Sequence, residues 1–301
     1  MKADVLVIGE NRVFCDIVFY RLPRMPKAGE EVFAGNLAVR AGGAFLPAAG
    51  LARLGMDVVL SCVLGDDPLS RFVLEQIKEE GIKTSLVRVR KGAGIPTTVS
   101  LSRADRAFVS WMPPHAGYIP NLSRRLKVRH VHLPGFSVDV PVELLRGFKD
   151  AGATVSVDAS YQTAYTVRSR RIKPIFGLTD VFFCNRAEAV QLTGESRYTA
   201  ALKVLGRHFK HAVVKLGHKG AACISEGRLI KSEPYPAEAV DTTGAGEAFV
   251  AGYLYGFLNG YPVSRCLKIA NYCGARSTEG AGLGNFPNLK ELARLPDLHS
   301  P

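Results

Sequence analysis

The chain has 301 residues, 47% of them hydrophobic, which is enough to bury the core of one large α/β domain. Its net charge is +12, but its basic clusters lack interleaved aromatic residues, and no zinc-finger or helix-turn-helix spacing is present, so neither pattern indicates a nucleic-acid partner. No stretch approaches the roughly 20 apolar residues that span a membrane, the start of the chain does not resemble a signal peptide, and the six cysteines form no CxxC pair. We therefore expect a cytoplasmic protein with reduced cysteines and no membrane partner, whose charge lies mostly on solvated faces and also suits anionic small molecules.

Short apolar runs alternate with amphipathic segments along the whole chain. The predicted strands are residues 4–9, 57–62, 130–133, 154–158, 180–184, 212–216 and 221–224. The predicted helices are residues 45–54, 70–80, 142–151, 186–192, 198–209, 248–258 and 262–275. Buried strands separated by helices predict an α/β fold with a doubly wound, mostly parallel sheet flanked by helices.

Two segments, at about residues 11–40 and 97–111, interrupt this alternation with hairpin-like patterns. Two such hairpins are expected to pair into a small sheet that stands off the main body as a lid. One face of that sheet would be apolar and suited to a second copy of the chain, so we expect a homodimer formed through the lids. The residues that supply this face are Val13, Ile17, Phe19, Val99, Leu101, Phe108 and Trp111.

The most informative segment is DTTGAGEAF, residues 241–249. Its glycines are predicted to leave three backbone N–H groups unpaired at the start of the helix that follows. These groups belong to Gly244, Ala245 and Gly246. Unpaired donors and the helix dipole attract a phosphate or a developing anion, and the carboxylates of Asp241 and Glu247 add a metal or proton partner. The alternative is a tight turn in which glycine only relieves backbone strain, and the segment alone leaves both readings open.

Four further features lie near predicted strand ends, where open α/β sheets bind ligands. They are Gly9-Glu10 with Asp16, the pair Gly42-Gly43, the segment from Asn185 to Glu188, and Lys215 with Gly217 and Gly220. Each also has a structural explanation. Asp16 can cap a turn, the glycine pair can permit close packing, Asn185 and Glu188 fit a helix capping box, and the last glycines fit a hairpin.

The order and spacing of these five features resemble the ribokinase (PfkB) family of carbohydrate and nucleoside kinases over nearly the whole chain. Residues 241–247 with Phe249 and Gly252 are similar to its C-terminal signature, DTxGAGDxFxxG, and differ at one position. The supporting matches are Gly42-Gly43 through Gly55 with the N-terminal signature, Gly65-Asp66 downstream of it, Asn185 to Glu188 with an NxxE motif, and residues 279–281 and 286–287 with the closing loop.

The resemblance implies one ribokinase-like domain over residues 1–301, with a β-lid, that transfers the γ-phosphoryl group of ATP to a hydroxyl of a small sugar, polyol or nucleoside with Mg²⁺. It implies an anion hole at Gly244, Ala245 and Gly246, with Glu247 as the general base. It implies substrate contacts from Asp16, Gly42 and Gly43. It implies cofactor contacts from Asn185, Glu188, Lys215, Gly217, Gly220, Asn271 and Gly280, and Mg²⁺ held through water by Glu188 and Asp241.

Two positions depart from the family pattern. The signature aspartate that acts as base is Glu247 here, and the asparagine of GGxxxN is Pro47, which has no side-chain donor. The leading hypothesis is a kinase that uses Glu247 as its base. The alternative is a catalytically impaired protein with the kinase fold that binds or senses a sugar or nucleotide. The sequence does not identify the phosphoryl acceptor.

The histidines are interpreted as structural or solvent-facing. His130 and His132 are expected on one face of a strand, but no third metal ligand occurs at a matching position. The same interpretation applies to His115 and His218. In the predicted lid, Thr97, Arg103 and Arg106 are interpreted as turn residues, with sugar or phosphate contact as the alternative.

Overall fold

The structure is a computed structural model that describes residues 1–10, 12–103, 106–113, 126–135, 140–159, 165–280 and 285–295. His115 and Ala281 lie outside the described residues, as does the side chain of Arg106.

The described strands and helices alternate through most of the chain. The strands are β1 (Lys2–Glu10), β2 (Val13–Tyr20), β3 (Asn36–Gly43), β4 (Val58–Leu64), β5 (Lys83–Val89), β6 (Thr97–Ser102), β7 (Arg106–Trp111), β8 (Lys127–Leu133), β9 (Thr154–Asp158), β10 (Val181–Asn185), β11 (His211–Lys215), β12 (Ala221–Ser225) and β13 (Arg228–Ser232). The helices are α1 (Phe45–Arg53), α2 (Pro68–Glu79), α3 (Val142–Asp150), α4 (Lys173–Phe176), α5 (Arg186–Thr193), α6 (Tyr198–Leu205), α7 (Ala245–Leu258), α8 (Val263–Ser277) and α9 (Leu289–Leu292).

Within the described residues, nine strands form a large sheet in the order β13-β12-β11-β10-β9-β8-β1-β4-β5. The seven strands from β11 to β5 are parallel to one another, whereas β12 pairs in an antiparallel manner with both β11 and β13. Alternate residues of β1 enter two different cores: Val5 and Val7 pack with α1, α7 and α8, whereas Leu6 and Ile8 pack with α3 to α6. Because side chains alternate across a strand, this arrangement requires helices on both faces. It confirms the predicted doubly wound, mostly parallel sheet.

A second sheet has the order β3-β2-β6-β7. It consists of two antiparallel pairs, β2 with β3 and β6 with β7, joined by parallel pairing of β2 with β6. The two hairpin-like segments therefore pair into one small sheet, as predicted. Strand β3 continues to Gly43, two residues before α1 begins, so the small sheet leads directly into the main body beside the carboxyl ends of the parallel strands.

Among the described residues, no helix is long and apolar enough to cross a membrane. All six cysteines are reduced and buried.

Candidate active site

A cavity of about 560 Å³ opens at the carboxyl ends of β8 to β11. Residues from the large sheet, the small sheet and α7 line it. The predicted site residues among them are Gly43, Asn185, Glu188, Lys215, Gly217, Gly246 and Glu247. Since doubly wound sheets bind ligands at this edge, the cavity is the candidate active site, and the fold brings these seven residues together from distant parts of the chain.

Helix α7 starts at the glycine-rich segment. Gly244 precedes it with φ of +86°, a left-handed conformation that favours glycine, and no side chain caps the helix. Among the described residues, the N–H groups of Gly244 and Gly246 have no hydrogen-bond partner, whereas the N–H of Ala245 donates to the carbonyl of Thr242 at 3.3 Å. The prediction of three unpaired donors is therefore wrong for Ala245, whose N–H closes the turn. The two remaining donors are available to an anion at the helix N terminus.

An ammonium group adds positive charge at the same point. Lys215 leaves the end of β11, and its Nζ donates to Asp158 Oδ2 at 2.6 Å. A methyl group at Gly246 would lie 3.4 Å from this Nζ. Burial opposes the charge on Lys215, but the carboxylates of Asp158 and Glu247 outweigh it and raise its pKa. Lys215 therefore keeps its proton beside the N terminus of α7.

Glu247, in the first turn of α7, supplies a carboxylate to the cavity. Burial raises its pKa above the usual range, although the nearby ammonium of Lys215 opposes the increase. Such a carboxylate binds a proton more readily than an exposed glutamate. Its position on the cavity wall allows it to take a proton from a bound hydroxyl group.

Asp16 lies beneath Gly42, so closely that a methyl group at Gly42 would overlap its carboxylate. Neither residue lines the cavity, although Gly43, the next residue of β3, does. Burial raises the pKa of Asp16 to about 6, against the charge of Arg40, and the carboxylate of Glu247 contributes to the increase. Asp16 is thus close enough to Glu247 for their charges to interact.

Asp241 binds the small sheet rather than facing the cavity. Its Oδ2 accepts a hydrogen bond from the hydroxyl of Tyr20 at 2.7 Å and lies 3.3 Å from Nη2 of Arg40. Its Oδ1 accepts the backbone N–H of Thr243 at 2.9 Å. Burial favours the neutral carboxyl, but these donors outweigh it and lower its pKa. The contacts join β2 and β3 to the segment before α7, and they provide no support for the predicted role of Asp241 in metal binding.

Asn185 and Glu188 form a capping box at the start of α5. Asn185 Oδ1 accepts the N–H of Glu188 at 2.9 Å, and Glu188 Oε2 accepts the N–H of Asn185 at 2.7 Å. The structural explanation of the NxxE motif is therefore confirmed. Both residues also line the cavity, so the motif can serve the helix and a ligand together.

A second cavity, of about 460 Å³, shares Lys215, Gly217 and Gly246 with the first. Tyr235 and Phe249 give it an aromatic lining. The predicted residues Gly220 and Asn271 also line it. Asn271 Nδ2 donates to Glu233 O at 2.7 Å and to Ser232 Oγ at 3.1 Å, so this amide holds the loop after β13. Gly280 lines neither cavity and instead lies against Asn285.

Three polar residues of this cavity are not among the predicted site residues. Arg12 lies between β1 and β2, Asp158 ends β9, and His132 lies in β8. The position of Asp158 at the carboxyl end of a predicted parallel strand was the signal that could have identified it. His132 was interpreted as structural, and the structure does bury it completely. No group of three or more His, Cys, Asp or Glu side chains in the described ranges could hold a metal ion.

A helix N terminus with two unpaired N–H groups beside the half-buried carboxylate of Glu247 is an arrangement suited to phosphoryl transfer. The pfkB family carbohydrate kinase model matches residues 2–290. The ATP-dependent ribose-1-phosphate kinase of Halopiger xanaduensis is 28% identical over 96% of this chain and 97% of that protein. The chain therefore belongs to the pfkB family of carbohydrate kinases. Membership confirms the family and the class of enzyme, a sugar or nucleoside kinase.

Two solved structures share the fold. The structure of Arabidopsis thaliana ribokinase complexed with ribose and ATP has a TM-score of 0.84 and 23% sequence identity, with all of both chains covered. A putative ribokinase II from E. coli, in complex with ATP and Mg²⁺, has a TM-score of 0.79 and 21% identity over 96% of this chain and 97% of that chain. They confirm the ribokinase-like fold.

Proposed function

We propose that the protein transfers the γ-phosphoryl group of ATP to a hydroxyl group of a small sugar, polyol or nucleoside. The observation that carries this proposal is the meeting of three groups in one cavity: the N terminus of α7, the ammonium of Lys215 and the carboxylate of Glu247. Phosphoryl transfer depends mainly on positioning and on stabilising negative charge, and these groups supply both.

The reaction forms a bond from the acceptor oxygen to the γ-phosphorus and breaks the bond to the bridging oxygen of ADP. Glu247 takes the proton of the attacking hydroxyl, a step favoured by its raised pKa. The N–H groups of Gly244 and Gly246 and the ammonium of Lys215 stabilise charge on the transferring group. Asp158 positions that ammonium through the 2.6 Å hydrogen bond.

The acceptor is proposed to lie against Gly43, with Asp16 and Gly42 behind it. Strand β3 would bring these residues to the cavity as part of the small sheet, which acts as a lid that excludes water. Pro47 offers no polar side-chain group on this wall. The remaining polar contacts therefore have to come from the carboxyl edge of the large sheet.

ATP is proposed to occupy the second cavity, with its base between Tyr235 and Phe249 and its phosphates beside Gly217. Lys215 and Gly246 line both cavities, which supports a position for the γ-phosphate where the two cavities join. Gly220, which has φ of +76° and no room for a methyl group, shapes the loop. Asn271 acts by holding the loop at Glu233.

The oxygen atoms present fit Mg²⁺, which proteins usually hold through one or two carboxylates, waters and substrate phosphates. Asp158 Oδ1 is buried and has no hydrogen-bond partner among the described residues, and Glu188 lines the same cavity. We propose that these carboxylates hold the ion, partly through water and with Asn185 beside them. When bound, Mg²⁺ neutralises charge on the ATP phosphates.

The test is a coupled ADP-release screen over pentoses, hexoses, sugar phosphates, inositols and nucleosides, with ATP alone as the control for hydrolysis. We expect acceptor-dependent ADP release for at least one of these classes. Binding of ATP without phosphorylation of any acceptor would contradict the proposal and favour a sensor of sugar or nucleotide.

A further inference from the structure

A chain of buried hydrogen bonds runs through β8 and β9 and ends at the active-site cavity. His130 Nδ1 lies 2.7 Å from Thr154 Oγ1, and His130 Nε2 lies 2.7 Å from Ser156 Oγ. Ser156 Oγ lies 2.8 Å from Nδ1 of His132. Both histidine rings are completely buried. His132 lines the cavity, and its Nε2 has no hydrogen-bond partner among the described residues.

The direction of these hydrogen bonds determines what His132 offers to the cavity. When the hydroxyl of Thr154 donates its single proton to the carbonyl of Arg129, 3.3 Å away, His130 Nδ1 donates to Thr154 Oγ1 at 2.7 Å, and we assign the chain this direction. Burial lowers the pKa of both histidines, that of His132 to about 4, and each ring therefore carries one proton. Ser156 then donates to His130 Nε2 and accepts from His132 Nδ1. This order leaves His132 Nε2 as a lone-pair acceptor.

A buried hydrogen-bond acceptor such as His132 Nε2 can pair only with a ligand group that donates a proton. A phosphate at neutral pH offers mainly acceptor oxygens and would face the lone pair unfavourably, and Mg²⁺ prefers oxygen ligands to imidazole. A hydroxyl group donates a proton and fits. A buried hydrogen-bond acceptor without a partner is unfavourable, so a ligand that supplies the donor is favoured.

The strand order puts His132 at the end of the cavity that is proposed to hold the phosphoryl acceptor. Strand β8 lies next to β1, which leads to Arg12 and Phe14, whereas β10 and β11 carry Asn185 and Lys215 on the proposed nucleotide side. Phe14 and Pro47 are apolar parts of the wall at this end. His132 is thus one of the polar residues in the cavity wall at this end.

We infer that His132 Nε2 accepts a hydrogen bond from a second hydroxyl group of the phosphoryl acceptor, distinct from the one that is phosphorylated. The inference rests on the proposed function and narrows its substrate class to polyhydroxylated compounds. Because the pKa of His132 is low, His132 positions the phosphoryl acceptor and does not take its proton, a role that is left to Glu247.

The first measurement concerns the tautomer and needs no turnover. In the full-length protein labelled with ¹⁵N-histidine, His132 is assigned by loss of its signals in His132→Gln. We expect a protonated Nδ1 and an unprotonated Nε2, and a shift of the Nε2 resonance when D-ribose or myo-inositol is added. A protonated Nε2, or an Nε2 shift produced by ATP and not by any polyol in the panel, would overturn the inference.

The second measurement uses variants. His132→Phe keeps the ring and removes the acceptor, so the KM of the best acceptor should rise about tenfold, as expected for one hydrogen bond, with the KM of ATP unchanged. His132→Gln, whose amide oxygen can accept, should recover most of the affinity. A set of acceptor analogues, each lacking one hydroxyl group, identifies the hydroxyl that His132 binds. For one analogue the parent protein should show a higher KM than for the complete acceptor, whereas His132→Phe should show the same KM for both.

The two proposals can fail separately. Polyol binding with the expected Nε2 shift but no ADP release would contradict the kinase function and leave the His132 contact standing. Normal turnover with an unchanged acceptor KM in His132→Phe would overturn the contact and leave the kinase function standing. If His132→Phe does not fold, the tautomer of the parent protein and the KM values of His132→Gln decide the question.

Discussion

At the residue scale, the first prediction concerns Glu247, the proposed general base. Glu247→Gln keeps the size of the side chain and removes its ability to accept a proton. We expect kcat/KM to fall by about 10² to 10⁴, the usual contribution of general base catalysis, while ATP binding is retained. Steady-state kinetics on the best acceptor measure the effect.

Glu247→Asp is the matched variant, because it restores the residue of the family signature and keeps the charge. It shortens the side chain by about 1 Å, a displacement that can cost a hundredfold in rate near a reacting centre. A loss in the Asp variant would therefore show that the pocket is adapted to glutamate. Unchanged turnover in Glu247→Gln would contradict the base assignment.

Asp16 provides a prediction that links acceptor binding to stability. Its pKa of about 6 exceeds the ordinary 3.8 because burial, with help from Glu247 and Asp241, disfavours its charge. Between these values the folded protein binds a proton that the unfolded chain has released, so stability falls as pH rises through that window. Asp16→Asn should therefore raise Tm by about 2–4 °C at pH 7.5 and very little at pH 4, and should raise the acceptor KM.

Calorimetry at the two pH values, with acceptor kinetics at pH 7.5, tests this. An equal gain in Tm at both pH values would show that the ionisation of Asp16 is not the cause. An unchanged acceptor KM would remove Asp16 from the substrate site.

The site residues that sequence reasoning identified share one property: a local motif carries them. Glu247 and Gly246 belong to a helix start, and Asn185 and Glu188 belong to a capping box. Asp158 and His132 are single residues at the ends of strands. The sequence around these two residues does not indicate that they line the cavity or that Asp158 contacts Lys215. Both facts follow from the order of the strands in the sheet.

At the element scale, two glycines at the start of α7 are expected to have different roles, one in the backbone conformation and one in leaving space for an anion. Gly244 has φ of +86°, so Gly244→Ala should destabilise the protein by about 1–2 kcal/mol through backbone strain. Gly246 has no such φ, and a methyl group there would make an ordinary 3.4 Å contact with Lys215 Nζ. Gly246→Ala should therefore fold as well as the parent, yet lower kcat/KM at least tenfold by occupying the anion site.

Thermal unfolding and kinetics on the two variants test the distinction. Parent-like turnover in Gly246→Ala would show that the phosphoryl group does not bind at this helix start. A parent-like Tm in Gly244→Ala would show that the left-handed conformation is not required.

The sequence predicted the buried strands and most helices but missed β5 and β13. Both are edge strands of the large sheet, with mostly exposed or half-buried residues, so neither shows the continuous apolar run on which the predictions relied. The helix predicted over residues 198–209 ends at Leu205. Phe209, the last residue of the predicted helix, lies outside α6 and is buried by stacking on Phe182 at a centroid distance of 4.4 Å. Apolar periodicity in the sequence does not distinguish a residue that continues a helix from one that is buried just after the helix ends.

At the scale of the whole molecule, the small sheet predicts self-association. Phe108 lies on the opposite face of the small sheet from Val109, and Val13 is completely buried, so the predictions that place these two residues on the dimer face are wrong. The solvent-accessible hydrophobic side chains that share the other face include Leu37, Val39, Val109 and Trp111. We expect a homodimer that buries these residues and sediments as a dimer at micromolar concentration.

Val39→Lys combined with Val109→Lys should give a monomer because the added charges would be buried at the interface. The matched control is Leu229→Lys, which alters an exposed apolar residue on β13, at one edge of the large sheet. A parent protein that remains monomeric at high micromolar concentration would remove this prediction.

The link between the two sheets gives the last prediction. Asp241, just before α7, binds Tyr20 of β2 and Arg40 of β3, and the side chains of the ion pair are only 3% and 6% exposed. Breaking a buried ion pair costs about 3–5 kcal/mol because it leaves the other charge uncompensated. Asp241→Asn should lower the free energy of unfolding by this order at pH 7 and accelerate hydrogen exchange in β2 and β3 more than in β8 to β10.

The lowered pKa of Asp241 sets the pH dependence of this effect. Its contribution is fully present above the ordinary value of 3.8 and is lost as pH falls through the lower native value, so the variant and the parent should converge in acid. Asp57→Asn is the matched control, because it removes an exposed ion pair with Lys83, which is worth about 0–1 kcal/mol. If Asp241→Asn lowers the free energy of unfolding no more than Asp57→Asn does, the prediction is contradicted. The two sheets would then be held together by packing and not by the contacts of Asp241.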